Sequence, residues 1–216
     1  MTELIVTMDG PGGTGKSTVS REVASRLGLP HLDTGAFYRA AGLIAIRAGV
    51  DVEDADQVHA AIAAKTLDQR DGQMFVDGID VSDEIRSPAA TAASSRVSAH
   101  PSVRRRLVSE QRQWVTRHAN RAVVEGRDIG SVVFPEATLK IYLDARPEVR
   151  ARRRSEQTGQ GFDGVFAELD ERDRRDKTRS ASPLTIPRGA VVIDTSEMSF
   201  EAVVDRVVEL AVDRTG

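Results

Sequence analysis

Residues 10–18, which read Gly-Pro-Gly-Gly-Thr-Gly-Lys-Ser-Thr, limit the possible folds of this chain more than any other stretch. Gly10, Gly15, Lys16 and Ser17 fill the spacing G-x-x-x-x-G-K-[ST] of a phosphate-binding loop. The preceding run LIVTM is apolar and β-branched, as in a buried strand. The following residues place apolar side chains at helical spacing and end in a glycine. The sequence therefore predicts a strand, a glycine-rich loop and a helix in direct succession.

A loop of this composition stabilises negative charge at close range. Glycines let successive backbone N–H groups approach phosphate oxygens, and the N-terminus of the helix adds its partial positive charge. Lys16 is expected to reach the β- and γ-phosphates of ATP, and the hydroxyl of Ser17 to bind Mg²⁺, which prefers oxygen ligands. The predicted ATP-binding residues of the loop are Gly10, Pro11, Gly12, Gly13, Thr14, Gly15, Lys16, Ser17 and Thr18.

Length and composition exclude several other classes of protein. The 216 residues are enough for one domain, or for one core with an insertion. A net charge of −3 argues against a general nucleic-acid or membrane binder. The absence of cysteine excludes disulfides and thiolate catalysis. The first strand leaves no room for a signal peptide, and no apolar run reaches membrane-spanning length, so we expect a cytoplasmic protein.

Short apolar strands alternate with helices along most of the chain. The predicted strands lie near residues 4–8, 29–32, 122–124, 139–143 and 190–193. This alternation predicts a five-stranded parallel sheet with helices on both faces. The carboxylates that follow the strands are Asp9, Asp33, Glu125 and Asp194. Since parallel strands end at one edge of a sheet, where α/β proteins bind ligands, we expect these carboxylates to share that edge.

Two segments interrupt the alternation. Residues 73–81 contain an Asp-Gly pair between two short apolar runs, which predicts a β-hairpin on a type I′ turn, with a further strand near Thr66-Leu67. We therefore assign residues 65–95 to a small β-containing insert, and residues 1–64 and 96–216 to the core. A polar, glycine-containing stretch at 157–164 predicts a lid over about 155–166.

Arginines favour a kinase over a nucleotide-dependent switch. A GTPase would carry an [NT]-K-x-D motif, which is absent, whereas a kinase needs a second basic pocket for the acceptor. The candidate arginines follow strand ends or flank the lid, and they are Arg39, Arg127, Arg150, Arg154, Arg172 and Arg179. The alternative for those in the 150–154 and 172–175 runs is an ordinary solvated helix face.

Several motifs occur together and in a fixed order. They are the loop at 10–17, Asp-Thr-Gly-Ala-Phe-Tyr-Arg at 33–39, Gly-Arg-Asp-Ile-Gly at 126–130, Arg-Asp-Arg-Arg-Asp-Lys-Thr-Arg at 172–179, and Asp-Thr-Ser at 194–196. With the insert between the second and third motifs, this order resembles bacterial cytidylate kinase, a P-loop nucleoside monophosphate kinase. The resemblance implies transfer of the γ-phosphoryl group of ATP to CMP or dCMP by a monomer, with residues 65–95 binding the monophosphate.

The resemblance also implies roles for individual residues. Thr34, Arg39, Arg127 and Arg179 would hold the acceptor phosphate; Ser95, Arg104 and Asp128 would read the cytosine; and Arg172 and Asp176 would contact the pentose. Arg105 and Arg106 leave the register of Arg104 open. Lys16, Arg127, Asp128 and Arg179 would form the catalytic group, and Arg150 and Arg154 would neutralise charge on the transferred phosphoryl group.

The chemistry of cytosine agrees with this reading. Its N4 amino group is a donor beside the acceptors N3 and O2, so a carboxylate and a guanidinium complement it, and Asp128 and Arg104 supply that pair. Uracil would place its O4 against the carboxylate, which predicts discrimination against UMP. The residues leave open whether Asp9 or Asp33 organises Mg²⁺. Other P-loop kinases, acting on UMP, dTMP or shikimate, and a non-catalytic nucleotide-binding regulator are the alternatives.

Overall fold

The computed structural model describes residues 3–178 and 182–214, which form two compact units. The first unit contains residues up to His31 and those from Asn120 onward, and the second contains Leu32–Ala119. The strands are β1 (Leu4–Asp9), β2 (His31–Asp33), β3 (Leu67–Arg70), β4 (Gln73–Val76), β5 (Ile79–Asp80), β6 (Arg121–Glu125), β7 (Leu139–Asp144) and β8 (Val191–Asp194). The α-helices are α1 (Lys16–Leu27), α2 (Thr34–Arg47), α3 (Ala55–Ala63), α4 (Pro88–Val97), α5 (Pro101–Arg117), α6 (Pro147–Thr158), α7 (Phe162–Thr178) and α8 (Phe200–Val212).

A five-stranded parallel sheet has the order β2-β6-β1-β7-β8, which confirms the predicted sheet. In its register Met8 lies beside Glu125, and Asp9 lies beside Tyr142. The carboxyl ends of β1, β6 and β7 therefore meet at one edge. The chain leaves β1 at this edge to form the glycine-rich loop.

Both faces of β1 are covered. Val6 and Met8 point to one face and Thr7 and Asp9 to the other, because side chains alternate along a strand, and all four are buried. Apolar residues of α1 and α8 form one core cluster with β1, β6, β7 and β8. Gly28 then ends α1 with φ of 61°, and its N–H donates to the last carbonyls of the helix, as predicted for a glycine at this position.

The predicted polar stretch at 157–164 is mostly helical in the structure. Helix α6 continues to Thr158 and ends at Gly159, which has φ of 70°, and α7 begins at Phe162. Only residues 159–161 connect the two helices. The polar composition of residues 157–164 therefore predicted a longer connection than the structure has, because polar side chains on an exposed helix face resemble a loop in sequence.

The second unit combines helices α2–α5 with the antiparallel sheet β3-β4-β5. Asp77 and Gly78 have φ of 51° and 79°, the two positive values that a type I′ turn requires, so the predicted hairpin and its preceding strand are confirmed. Helix α2 lies very close to α4 at Gly42, where an added Cβ would be 2.9 Å from the Cβ of Ala93.

Within residues 3–178 and 182–214, no helix combines the length and the apolar composition needed to cross a membrane.

We predict that Gly42→Ala destabilises the protein, whereas Gly164→Ala does not. The methyl group at position 42 would force α2 away from α4 and is expected to cost about 1–3 kcal/mol of the free energy of unfolding. Gly164 is exposed in α7 with open space around it, so alanine there should be neutral or add up to about 1 kcal/mol. Denaturant unfolding of both variants checks this, and equal stability of the two would contradict the close packing of α2 and α4.

Candidate active site

The loop between β1 and α1 depends on glycine for both its conformation and its packing. Gly10 and Gly13 have φ of 141° and 80°. A Cβ on Gly10 would lie 2.0 Å from the carbonyl oxygen of Leu143, and one on Gly13 would lie 2.9 Å from that of Arg150. The backbone therefore takes a path that other residues could not follow. Thr14 fixes the loop from inside, since its hydroxyl donates to the carbonyl oxygen of Pro11 at 3.2 Å.

Helix α1 begins at the end of this loop without a side-chain cap among the described residues. Its preceding residue, Gly15, has φ of 85°, and the carbonyl of Gly15 accepts from the N–H groups of Thr18 and Val19. The unbonded N–H groups at the start of a helix, together with its dipole, favour an anion. The backbone at the start of α1 is therefore compatible with the predicted anion site.

Lys16 is nearly buried under the loop. Its Nζ donates to the carbonyl oxygen of Pro11 at 2.6 Å, and its side chain is 8% exposed. Burial, followed by repulsion from Arg127, lowers the pKa of Lys16 to about 7. A phosphate group beside this ammonium would restore its charged form.

Ser17 meets a carboxylate from the neighbouring strand. Its hydroxyl donates to Oε2 of Glu125 at 2.8 Å, and His31 lies on the other side of that carboxylate, with its Nε2 3.4 Å from Oε1. His31 Nε2 also lies 2.9 Å from the hydroxyl of Ser20. Ser17 and Glu125 thus place two oxygen ligands together at the start of α1, which suits Mg²⁺. No described group of three or more His, Asp or Glu residues could hold a metal alone, so phosphate and water would complete its shell.

Asp9 and Asp33, which the sequence analysis considered for Mg²⁺, have other partners. The two oxygens of Asp9 accept from the N–H groups of Ile129 and Gly130 at 2.6 and 2.7 Å. Asp33 caps α2 by accepting from the N–H of Ala36. Of the strand-end carboxylates, it is Glu125 that contacts Ser17. Local sequence could not identify it, because residues 17 and 125 come together only when β1 and β6 pair.

Arg127 lies against the glycine-rich loop. Its Nη1 donates to the carbonyl oxygen of Gly10 at 2.7 Å, and its Nε lies 3.1 Å from a carboxylate oxygen of Asp176. Asp128, the next residue, is buried with 3% exposure. Arg172 is half-buried and close enough to lower the pKa of Lys16. Of the predicted residues in the motifs at 126–130 and 172–179, Arg127, Arg172 and Asp176 therefore lie near the loop.

Arg150 is buried among α6, α7 and the glycine-rich loop, which the amino-acid sequence did not indicate. It is 7% exposed, its Nη1 donates to Asp173 at 2.6 Å and to the carbonyl oxygen of Gly12 at 3.0 Å, and so it joins α6, α7 and the loop. The solvated-face alternative is wrong for Arg150. Arg154, one turn later, is half-exposed and donates to Gln157.

In the second unit, the start of α2 is held by a chain of hydrogen bonds. Thr34 is buried at the first position of α2, and Arg39 forms an ion pair with Asp33 at 2.7 Å. The backbone N–H of Asp33 donates to the side chain of Gln69, and the indole of Trp114 donates to the main-chain carbonyl of Gln69. Neither polar contact has a signal in the local sequence.

Arg104, on helix α5, lies against Tyr38 of helix α2. Arg104 is 4% exposed, its guanidinium carbon lies 5.3 Å from the ring centroid of Tyr38, and its Nη1 donates to the carbonyl oxygen of Ser98. Arg105 is exposed and Arg106 donates to Ala63 and Lys65, so Arg104 is the buried arginine of the three. Ser95 is half-buried on α4. Arg179 lies outside the described residues.

We predict that the buried Asp9 makes stability depend on pH. Burial raises the pKa of Asp9 to about 6, against about 3.9 in an unfolded chain. A raised pKa stabilises the fold fully below the unfolded value, and this contribution is lost as pH rises through the folded value. Asp9→Asn removes this titration, although its amide NH2 replaces one of the two oxygens that accept from Ile129 and Gly130, a loss that does not itself change with pH. The stability of the variant relative to the wild type should therefore rise by about 1–3 kcal/mol between pH 4 and pH 7. Denaturant unfolding across this range checks it. A wild type that gains stability relative to the variant as pH rises would contradict it.

The sequence of this chain matches a known protein family. A family model described as cytidylate kinase matches residues 6–213. A cytidylate kinase of Mycobacterium leprae (strain Br4923) is 45% identical over 221 residues, which cover 100% of this chain and 99% of that protein. One from Rhodococcus opacus (strain B4) is 47% identical over 226 residues, covering 99% and 96% of the two chains.

Solved structures are similar in fold at low sequence identity. A gluconokinase from Sinorhizobium meliloti 1021 has a TM-score of 0.50 at 16% identity, covering 98% of this chain and 92% of its own. An uncharacterized protein from Eubacterium ventriosum ATCC 27560 has a TM-score of 0.58 at 11% identity, covering 98% and 99%. These likenesses concern the fold alone. The family model matches nearly the whole of this chain, and the two cytidylate kinases cover it at the identities given above. The chain therefore belongs to the cytidylate kinase family.

Proposed function

We propose that this protein transfers the γ-phosphoryl group of ATP to CMP or dCMP, giving ADP and CDP or dCDP. The observation that carries the proposal is the glycine-rich loop, whose Lys16 and Ser17 lie beside Glu125, in a chain similar over its full length to proteins named cytidylate kinase. Phosphoryl transfer depends mainly on positioning and on stabilising negative charge, which are what this set of groups offers.

The donor phosphates would bind to the backbone of the glycine-rich loop. Lys16 would exchange its bond to the Pro11 carbonyl for the β- and γ-phosphates, and Ser17 with Glu125 would hold Mg²⁺. When bound, Mg²⁺ would neutralise charge on the β- and γ-oxygens. Asp9 would act indirectly, because it fixes the backbone at residues 129–130.

Three groups of residues would hold the acceptor nucleotide. We assign its phosphate to Thr34, Arg39, Arg127 and Arg179, its cytosine to Ser95, Arg104 and Asp128, and its pentose to Arg172 and Asp176. Arg39 and Arg127 now pair with Asp33 and Asp176, so the phosphate would share or replace these carboxylates. The acceptor is already an anion at neutral pH, and no strong general base is needed.

Arg150 and Arg154 are the proposed source of charge from α6. The guanidinium of Arg150 already borders the loop at Gly12, and its pairing with Asp173 would hold it there. Arg154 is half-exposed and would move toward the transferred group together with the lid at about 155–166.

We further infer that residues 65–95 bind the monophosphate, and that the enzyme is a cytoplasmic monomer without a nucleic-acid partner.

A coupled assay of ADP formation tests the proposed function. The enzyme and Mg-ATP are offered CMP, dCMP, UMP, AMP, dTMP or shikimate separately. Strong preference for CMP and dCMP is expected. Preference for another acceptor would indicate a different kinase activity. If no acceptor is turned over, only nucleotide binding by the glycine-rich loop would remain of the proposal.

We predict that Asp128→Asn weakens discrimination between CMP and UMP. An asparagine amide can donate to O4 of uracil, whereas the carboxylate cannot, so the penalty for uracil should fall by about 1–3 kcal/mol. The ratio of kcat/KM for CMP to that for UMP should then fall about tenfold or more. Asp213→Asn, at an exposed position after α8, is the control. An unchanged ratio in Asp128→Asn would refute the role of Asp128 in base recognition.

We predict that Mg-ATP binding takes up protons at pH 8. The pKa of Lys16 near 7 leaves it largely neutral there, and the bound phosphates would raise that pKa and recharge it. Titration calorimetry in two buffers of different ionisation enthalpy measures the uptake. It should disappear at pH 6 and in Lys16→Met, and persist in Lys140→Met. Equal proton uptake by wild type and Lys16→Met would show that Lys16 does not meet the phosphates.

A further inference from the structure

Gln111, on helix α5, is a buried amide that makes no hydrogen bond to any of the residues 3–178 and 182–214. It has no exposed surface, and neither its Oε1 nor its Nε2 is bonded within the described part of the chain. Exchanging the two atoms by rotating the amide would not help, since both lack partners. A buried amide in this state costs free energy, and such a cost is commonly recovered when a ligand or water arrives.

The position of Gln111 links it to the proposed acceptor residues of its unit. It follows Arg104 by seven residues and precedes Trp114 by three, so the three side chains lie along one face of α5. Arg104 lies over the ring of Tyr38, and Trp114 holds Gln69, which accepts from the N–H of Asp33. Both ends of this face therefore support the segment 33–39.

We infer that Gln111 binds the base of the acceptor nucleotide, an inference that rests on the proposed function. An amide presents a donor and an acceptor side by side, and the cytosine edge presents the same pair in reverse. Oε1 of Gln111 would accept from the N4 amino group, and Nε2 would donate to a ring acceptor. If Nε2 of Gln111 occupies N3, whose single lone pair accepts one bond, the second N4 hydrogen remains for Asp128 and O2 remains for Arg104.

A ligand-binding role and a structural role predict opposite effects on the free protein. Replacing an unbonded buried amide by an apolar side chain of similar size removes unmade hydrogen bonds, so the unliganded protein should be no less stable. If Gln111 instead supported the fold, the same change would destabilise it. Gln111→Met preserves length and volume, and Gln111→Leu serves as a second replacement.

The test measures binding of CMP, dCMP and Mg-ATP by titration calorimetry, and thermal unfolding without ligand. Gln113→Met is the matched control, since Gln113 is exposed on the same helix and its amide donates to the hydroxyl of Ser109. In both Gln111 variants, the affinity for CMP and for dCMP should fall about tenfold or more. The factor should be the same for the two nucleotides, because they share the base. Binding of Mg-ATP and the Tm should be preserved.

Three results would overturn the inference. They are unchanged CMP affinity, a lower Tm or loss of folding in both Gln111 variants, and a loss confined to CMP, which would indicate a contact with the sugar. Failure of the wild type to bind CMP would overturn the proposed function itself. That outcome is visible before any variant is made.

Discussion

The close approach of the glycine-rich loop to neighbouring backbone is the constraint on which this structure depends. It requires glycine at positions 10 and 13, because the loop presses against the carbonyls of Leu143 and Arg150. It also requires β1 to end at the same edge as its neighbours, which the parallel register provides. Lys16 and Ser17 then reach the loop and Glu125 from the first turn of α1. The sheet, the loop and the helix are thus parts of one arrangement, to which we assign phosphate binding.

Buried charges hold this arrangement in place. Asp9 fixes the backbone after β6, and Arg150 with Asp173 joins α6 and α7 to the loop. Such groups are costly to bury, and they stabilise a structure only when each meets a partner of good geometry. This cost is reflected in two pKa values, since burial raises the pKa of Asp9 and lowers the pKa of Lys16. In the proposed function, bound phosphates would complete the charge balance around Lys16.

Sequence alone predicted the features that arise from local chemistry. The five strands, the Asp-Gly hairpin and the glycine that ends α1 follow from periodicity and from turn residues. The polar contacts between distant segments could not be predicted, since Asp9 and Gly130, or Ser17 and Glu125, are more than a hundred residues apart. Gln111 shows the same limit, because its position suggests an ordinary helix face and only its burial without a partner distinguishes it.

The central claim is that the γ-phosphoryl group passes to CMP and not to water. Phosphorus NMR of a mixture of enzyme, Mg-ATP and CMP follows each phosphate separately and tests this directly. Loss of the ATP γ-phosphate signal should match the appearance of the CDP β-phosphate signal, with no inorganic phosphate formed. Formation of inorganic phosphate at the rate of ATP loss, without CDP, would contradict the account.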